Sequence, residues 1–183
     1  MNASGYTLFE TAIGRCGIAW GPGGLIGLQL PEASDRAAAA RLRRRFPALE
    51  MADPPEPVAT AIARIAAFLS GKPDDFLDLI IDLAATGAWE RAVYESARAI
   101  PAGTTITYGA LAARVGDPGQ ARAVGQALGR NPWPIVVPCH RITAADGRMG
   151  GFSAPGGTAT KLKLLEIEGA LRPDTLPLFG GLG

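Results

Sequence analysis

The 183-residue chain has only two cysteines and one histidine. Cys16 and Cys139 lie far apart, so they make no disulfide framework, and His140 without a Cys-x-x-Cys pair cannot build a zinc site. Neither a structural metal nor a cofactor is expected. Long apolar runs are also lacking. None approaches the roughly 18 residues of a membrane span, and no basic, apolar, small-residue leader opens the chain. These absences predict a cytoplasmic protein without membrane contact. A strong net charge is missing too, at +1 overall. Residues 1–87 hold eight Lys/Arg against ten Asp/Glu, net −2, whereas 88–183 hold ten against seven, net +3. The second half leans mildly toward a polyanionic partner.

With 48% hydrophobic residues the chain can bury an ordinary globular core. Tyr6–Ile13, Cys16–Trp20 and Leu25–Leu30, separated by glycine-rich turns, read as three strands of a small antiparallel sheet. Ser34 or Asp35 can cap a helix running to about Phe46, with Leu42 and Phe46 inward. Arg41, Arg43, Arg44 and Arg45 then read as a solvated helix face, with a binding patch as the less favoured alternative. Ala48–Pro57 reads as a linker, Val58–Leu69 as a second helix and Phe76–Leu83 as an edge strand. The expected class is α/β of the α+β kind. A sheet-plus-helix domain spans 1–87, a mostly helical domain 88–172, and a tail 173–183.

In the second half Trp89–Ile100 reads as a helix and Thr104–Thr107 as a strand stub. Tyr108–Val115, Gly116–Gly119 and Gln120–Gly129 have the proportions of a helix-turn-helix. Gly125 costs about 1 kcal/mol against alanine in a helix interior. Either a ligand approaches the backbone there, or a neighbouring helix packs close.

Ile135–Val137 reads as a short buried strand ended by Pro138, which sets Cys139 at a strand end facing a pocket. On extended backbone Cys139 and His140 point to opposite faces, so base catalysis needs a bend or an intervening water. A thiol of ordinary pKa near 8.5 needs a base to become a nucleophile. His140 is the only imidazole, and Glu166 or Glu168 could orient it. Residue types alone leave two readings open: an inert buried cysteine beside a turn-capping histidine, or a nucleophile with its base.

The run Asn131-Pro-Trp-Pro-Ile-Val-Val-Pro-Cys-His-Arg141 resembles the signature of the O6-alkylguanine-DNA alkyltransferases. The likeness extends from Ile100-Pro-Ala-Gly-Thr-Thr-Ile-Thr-Tyr-Gly-Ala-Leu-Ala112 through Gln120-Ala-Arg-Ala-Val-Gly125 to Gly150-Gly-Phe-Ser153 and Leu164-Leu-Glu-Ile-Glu-Gly169, in family order. The resemblance implies DNA repair: a damaged base, O6-alkylguanine or secondarily O4-alkylthymine, is flipped from duplex DNA and its alkyl group passes irreversibly to Cys139. His140 would be the base, acting through water and oriented by Glu168. Tyr108 would protonate the departing base, and Asn131 would brace the turn. Ser153 would bond the O6 side, the Cys139 and Ile142 carbonyls would read the exocyclic amine, and Phe152 would line the base pocket. Arg122 would replace the flipped base, while Gln120, Ala121 and Gly125 face the minor groove, which admits a helix only with short side chains.

The implied partner is alkylated double-stranded DNA, with a monomeric protein, no obligatory protein partner and no cofactor. Ala154-Pro155 departs from the family pattern as a two-residue insertion, and Ala102 stands where an aromatic is common. Rival readings are a cysteine hydrolase using Cys139, His140 and Glu168, a non-catalytic binder of alkylated DNA, and a helix-turn-helix regulator.

Overall fold

The computed structural model describes residues 4–145 and 154–170. Strands β1 (Gly5–Phe9), β2 (Cys16–Gly21) and β3 (Gly24–Gln29) form an antiparallel sheet in that order. The β2–β3 turn depends on Gly24, whose φ is +127° and where a Cβ would stand 2.6 Å from the Ile80 carbonyl oxygen. Helix α1 (Asp35–Arg45) starts where Ser34 accepts from the Ala37 N–H, a cap worth about 1 kcal/mol. It seats Ala38 and Leu42 on the sheet and turns its arginines outward. Helix α2 (Glu56–Leu69) buries Val58, Ala61, Ile65, Phe68 and Leu69.

The expected edge strand at Phe76–Leu83 is not a strand. Phe76 takes a left-handed φ of +52°, and only Ile81 bridges to Leu25. The segment is instead held by Arg98, whose Nη2 donates to the carbonyls of Phe76, Leu77 and Leu79 at 2.6, 3.0 and 2.9 Å. One cationic side chain thus satisfies carbonyls that a ladder would otherwise have used.

Helix α3 (Ala88–Arg98) packs beside α4 (Tyr108–Val115) and α5 (Ala121–Gly129). Thr107 caps α4 by accepting from the Ala110 N–H, and Gly116, at φ +116°, ends it in the left-handed conformation that glycine adopts without a Cβ penalty. The turn continues through a 3-10 turn at Pro118–Gln120, capped by Asp117. Gln120 therefore lies in the turn rather than in the second helix. The Tyr94 hydroxyl donates to the Ala127 carbonyl at 2.9 Å and fixes α5 on α3. Two-residue strands β4 (Ile106–Thr107) and β5 (Ile142–Thr143) pair in parallel, and α6 (Gly157–Ile167) closes the site from behind.

One buried cluster runs through both halves, from Phe9 and Trp20 to Val137 and Leu164. The sheet also grips the site directly. The Leu28 N–H donates to the Pro132 carbonyl at 2.8 Å, and Trp133 Nε1 donates to the Leu25 carbonyl at 2.7 Å. Among the described residues no helix is long and apolar enough to cross a membrane, and no group of three or more His, Cys, Asp or Glu could hold a metal ion.

Candidate active site

The expected strand at Ile135–Val137 is a tight turn. Ile135 is fully buried with φ +77°, a conformation that costs a β-branched residue on the order of 1–3 kcal/mol. The Val137 N–H returns to the Trp133 carbonyl at 2.7 Å. Asn131 holds the loop from inside, its Oδ1 accepting from the Trp133 N–H at 2.9 Å and its Nδ2 donating to the Val137 carbonyl at 2.8 Å. Short apolar runs between prolines read as strands in sequence, but here the backbone groups are satisfied within the loop.

Pro138, at φ −80° and ψ 65°, centres an inverse γ-turn closed by the Cys139 N–H on the Val137 carbonyl at 2.8 Å. Cys139–Arg141 then forms a 3-10 turn. The extended geometry that sends neighbouring side chains to opposite faces is therefore absent. The backbone bends between Cys139 and His140.

Cys139 is buried, and its Sγ lies 3.4 Å from Asn131 Nδ2. His140 is fully buried, with Nε2 2.7 Å from Glu168 Oε1 and Nδ1 without a hydrogen-bond partner among the described residues. Of the two carboxylates expected as partners, Glu168 is the one that meets His140. Glu166 is exposed and pairs with Lys163 at 3.0 Å. Arg141 fixes Glu168 in turn, its Nε reaching both carboxylate oxygens at 3.0 and 3.1 Å and its Nη2 reaching Oε1 at 2.7 Å. Its Nη1 donates to the Ile100 carbonyl and lies 3.5 Å from Asp75.

These interactions set the charge states. Burial alone would raise Glu168, but hydrogen bonds from His140 and Arg141 and their charges bring it down to about 2. Burial pulls His140 below its ordinary value despite Glu168. The resting pair is therefore an anionic carboxylate and a neutral imidazole. Nε2 carries the proton to Glu168, and Nδ1 keeps a lone pair. Burial pushes the Cys139 thiol up, against the opposing Asn131 hydrogen bond and the nearby Lys161 charge. Its deprotonation needs a base on site.

Tyr108 stands at the start of α4 with its phenol held protonated, mainly by burial. Lys161 is fully buried, donates to the Ile142 carbonyl and places Nζ 5.9 Å from the Tyr108 ring centroid. Burial lowers it to about 8. Neither Lys161 nor Arg141 was expected as a site residue. The signal for Lys161 was present, because Lys161, Leu164, Leu165 and Glu168 follow i, i+3, i+4, i+7 spacing. The Cys139 carbonyl accepts from the Ile142 N–H and the Ile142 carbonyl from Lys161. Each keeps a second lone pair for a ligand.

A cavity of about 830 Å³ opens on Cys139 and is lined also by Tyr108, Ala121, Arg122, Gly125 and Leu128. Arg122 and Gln120 are exposed. A Cβ on Gly125 would meet only the Tyr108 ring, at 3.8 Å, an ordinary van der Waals distance. Close packing thus does not require glycine there, and Gly125 lines the open cavity. Phe152 and Ser153 lie outside the described residues. Ala154 and Pro155 line a second cavity that also reaches Cys139.

Residues 88–170 match the family described as 6-O-methylguanine DNA methyltransferase, DNA binding domain. The chain is 40% identical over 125 residues to the methylated-DNA–protein-cysteine methyltransferase of Mycolicibacterium paratuberculosis, covering 68% of this chain and 73% of that one. It is 34% identical to the protein of the same name from Methanothermobacter thermautotrophicus, covering 84% and 78%. Its fold matches the crystal structure of Mycobacterium tuberculosis OGT in complex with DNA at a TM-score of 0.70 and 30% identity, covering 94% and 95%. With this likeness spanning the helix-turn-helix and the Cys139–Glu168 constellation, the chain belongs to the methylated-DNA–protein-cysteine methyltransferase family.

Proposed function

We propose that the protein takes O6-alkylguanine flipped from duplex DNA, with O4-alkylthymine as a second lesion, and moves the alkyl group to Cys139 in a single turnover. Chemistry on a paired base requires its extrusion, at a cost of a few kcal/mol. Arg122 fills the vacated place in the stack, and Gln120, Ala121 and Gly125 give the groove a low surface. The base enters the cavity between Tyr108 and Cys139, where the Cys139 and Ile142 carbonyls meet its exocyclic amine. Phe152 and Ser153 complete the pocket.

His140 Nδ1 takes the Cys139 proton through a water, and Glu168 stabilises the imidazolium that forms. The thiolate attacks the alkyl carbon. The S–C bond forms as the C–O6 bond breaks, and the electron pair leaves on guanine. Tyr108 donates its proton to the departing base and recovers one from the relay, so the thiol proton ends on guanine. The product is a thioether, which acid–base side chains do not cleave, so the cysteine is consumed. The observation that carries this reading is the position of Cys139, on the large cavity with Tyr108 and Arg122 and next to a His140–Glu168 pair whose buried Nδ1 has no hydrogen-bond partner among the described residues.

The protein would act as a cytoplasmic monomer without cofactor or protein partner, its sheet-bearing part ending near Gly87. With O6-methylguanine duplex in excess, guanine product should stop at one equivalent per protein. Continued turnover, on this or an acyl substrate, favours the cysteine hydrolase instead.

A further inference from the structure

Cys139 is reached by two cavities that share Leu128, Gly129 and the cysteine itself. The second, of about 470 Å³, has a different character. Four arginines line it, Arg41, Arg44 and Arg45 from α1 and Arg130 from the end of α5, and no Asp or Glu among the described residues does. Arg41 and Arg130 are each tied to a carboxylate, Glu32 at 3.0 Å and Glu90 at 2.9 Å. Arg44 and Arg45 are exposed and have no ion pair among the described residues. The Arg45 guanidinium rests 5.4 Å from the Phe46 ring centroid, which holds it in place.

This concentration runs against its surroundings. Residues 1–87 carry net −2, yet four of their eight basic residues stand at positions 41–45. An arginine face that merely solvates a helix would not gather at the mouth of a reactive cysteine. Arg41, Arg44 and Arg45 are spaced i, i+3 and i+4, about 5–6 Å apart along one helix face. Such a row suits a polyanion with closely repeated charges.

We infer that the Arg44–Arg45 face of α1, flanked by Arg41 and Arg130, binds the phosphodiester backbone of the damaged DNA strand. The inference rests on the proposed reaction. The two cavities meet at Leu128 and Gly129, the end of α5 beside Arg130, so a strand whose base occupies one has the arginine-lined other next to it. This makes the N-terminal helix part of the DNA-binding surface, alongside the helix-turn-helix.

The test is the salt dependence of binding to an O6-methylguanine duplex, measured for wild type, Arg44→Ala/Arg45→Ala and Arg43→Ala. Every DNA phosphate that a basic side chain neutralises adds about 0.9 to the steepness of log K against log salt. The double variant should therefore bind with a slope shallower by about 0.9 for each arginine removed, whereas Arg43→Ala, whose side chain does not line the cavity, should keep the wild-type slope. Melting curves for all three confirm folding, and Arg44→Gln/Arg45→Gln repeats the measurement with the stems retained. An unchanged slope in a folded double variant overturns the inference while leaving the reaction standing. So does a variant with wild-type duplex affinity that loses reaction only with free guanines bearing a carboxylate on the O6 substituent. A wild-type protein without affinity for the duplex overturns both.

Discussion

Nε2 of His140 lies 2.7 Å from Oε1 of Glu168, with both side chains fully buried. Arg141 closes the same carboxylate from the other side. In this buried trio the guanidinium balances the carboxylate, and His140 Nδ1 has no hydrogen-bond partner among the described residues.

Glu168→Gln removes the anion that stabilises an imidazolium. The rate constant for methyl transfer, measured in a single-turnover mixing experiment, should fall by on the order of 10² or more. Breaking a buried ion pair on one side costs about 3–5 kcal/mol. Thermal unfolding should accordingly shift down, because buried Arg141 keeps only the half-exposed Asp75, at 3.5 Å, as a countercharge.

Acid should unfold the protein through the same pair. Glu168 is depressed from 4.5 to about 2, so its contribution is fully present above about 4.5 and is lost as pH falls toward about 2. His140 is depressed as well. Below its ordinary value near 6.5 the unfolded chain takes up a proton that the folded one refuses, again favouring unfolding on acidification. Denaturant titrations between pH 7 and 3 should show stability falling monotonically, with a flatter limb below about 4.5 in Glu168→Gln.

Asn131→Ala deletes one acceptor and one donor inside the active-site loop, as well as the hydrogen bond to Cys139 Sγ. Leaving the Trp133 N–H unsatisfied should cost about 1–3 kcal/mol, while the Val137 carbonyl keeps the Cys139 N–H. The thiol, deprived of a hydrogen bond that opposes burial, should titrate at higher pH. Chemical unfolding and thiol alkylation rate against pH read the two effects separately.

Arg122→Ala should slow methyl removal from duplex DNA much more than from the free base, since only the duplex needs its stack refilled. Single-turnover rates on the two substrates give the ratio. Equal losses on both would remove the base-flipping role.

Much of the N-terminal half was legible because it is local. Glycine turns separate β1, β2 and β3, Ser34 caps α1, and apolar residues at helical spacing mark α2. The helix-turn-helix was legible for the same reason, through the tight turn Gly116–Gly119 between two helical stretches. Distant partners decide the rest. Phe76–Leu83 loses its strand character to Arg98. Ile135 is forced into the left-handed region by a loop held through Asn131 and by the sheet at Leu28. The bend at Cys139 follows from that loop, so the extended backbone assumed from sequence misjudged how thiol and imidazole sit. Lys161 illustrates a different limit. Its spacing placed it on the buried stripe of α6, but it takes the distant Ile142 carbonyl and Tyr108 ring to help make burying a lysine tolerable.

The account rests on Cys139 as the final alkyl acceptor, and intact mass after reaction with an O6-methylguanine duplex tests that most directly. It predicts a gain of one methyl group per protein molecule, located by peptide mapping on Cys139 and absent in Cys139→Ser that still binds DNA. An unchanged protein mass alongside repaired DNA, or a methyl group on any other residue, would contradict it.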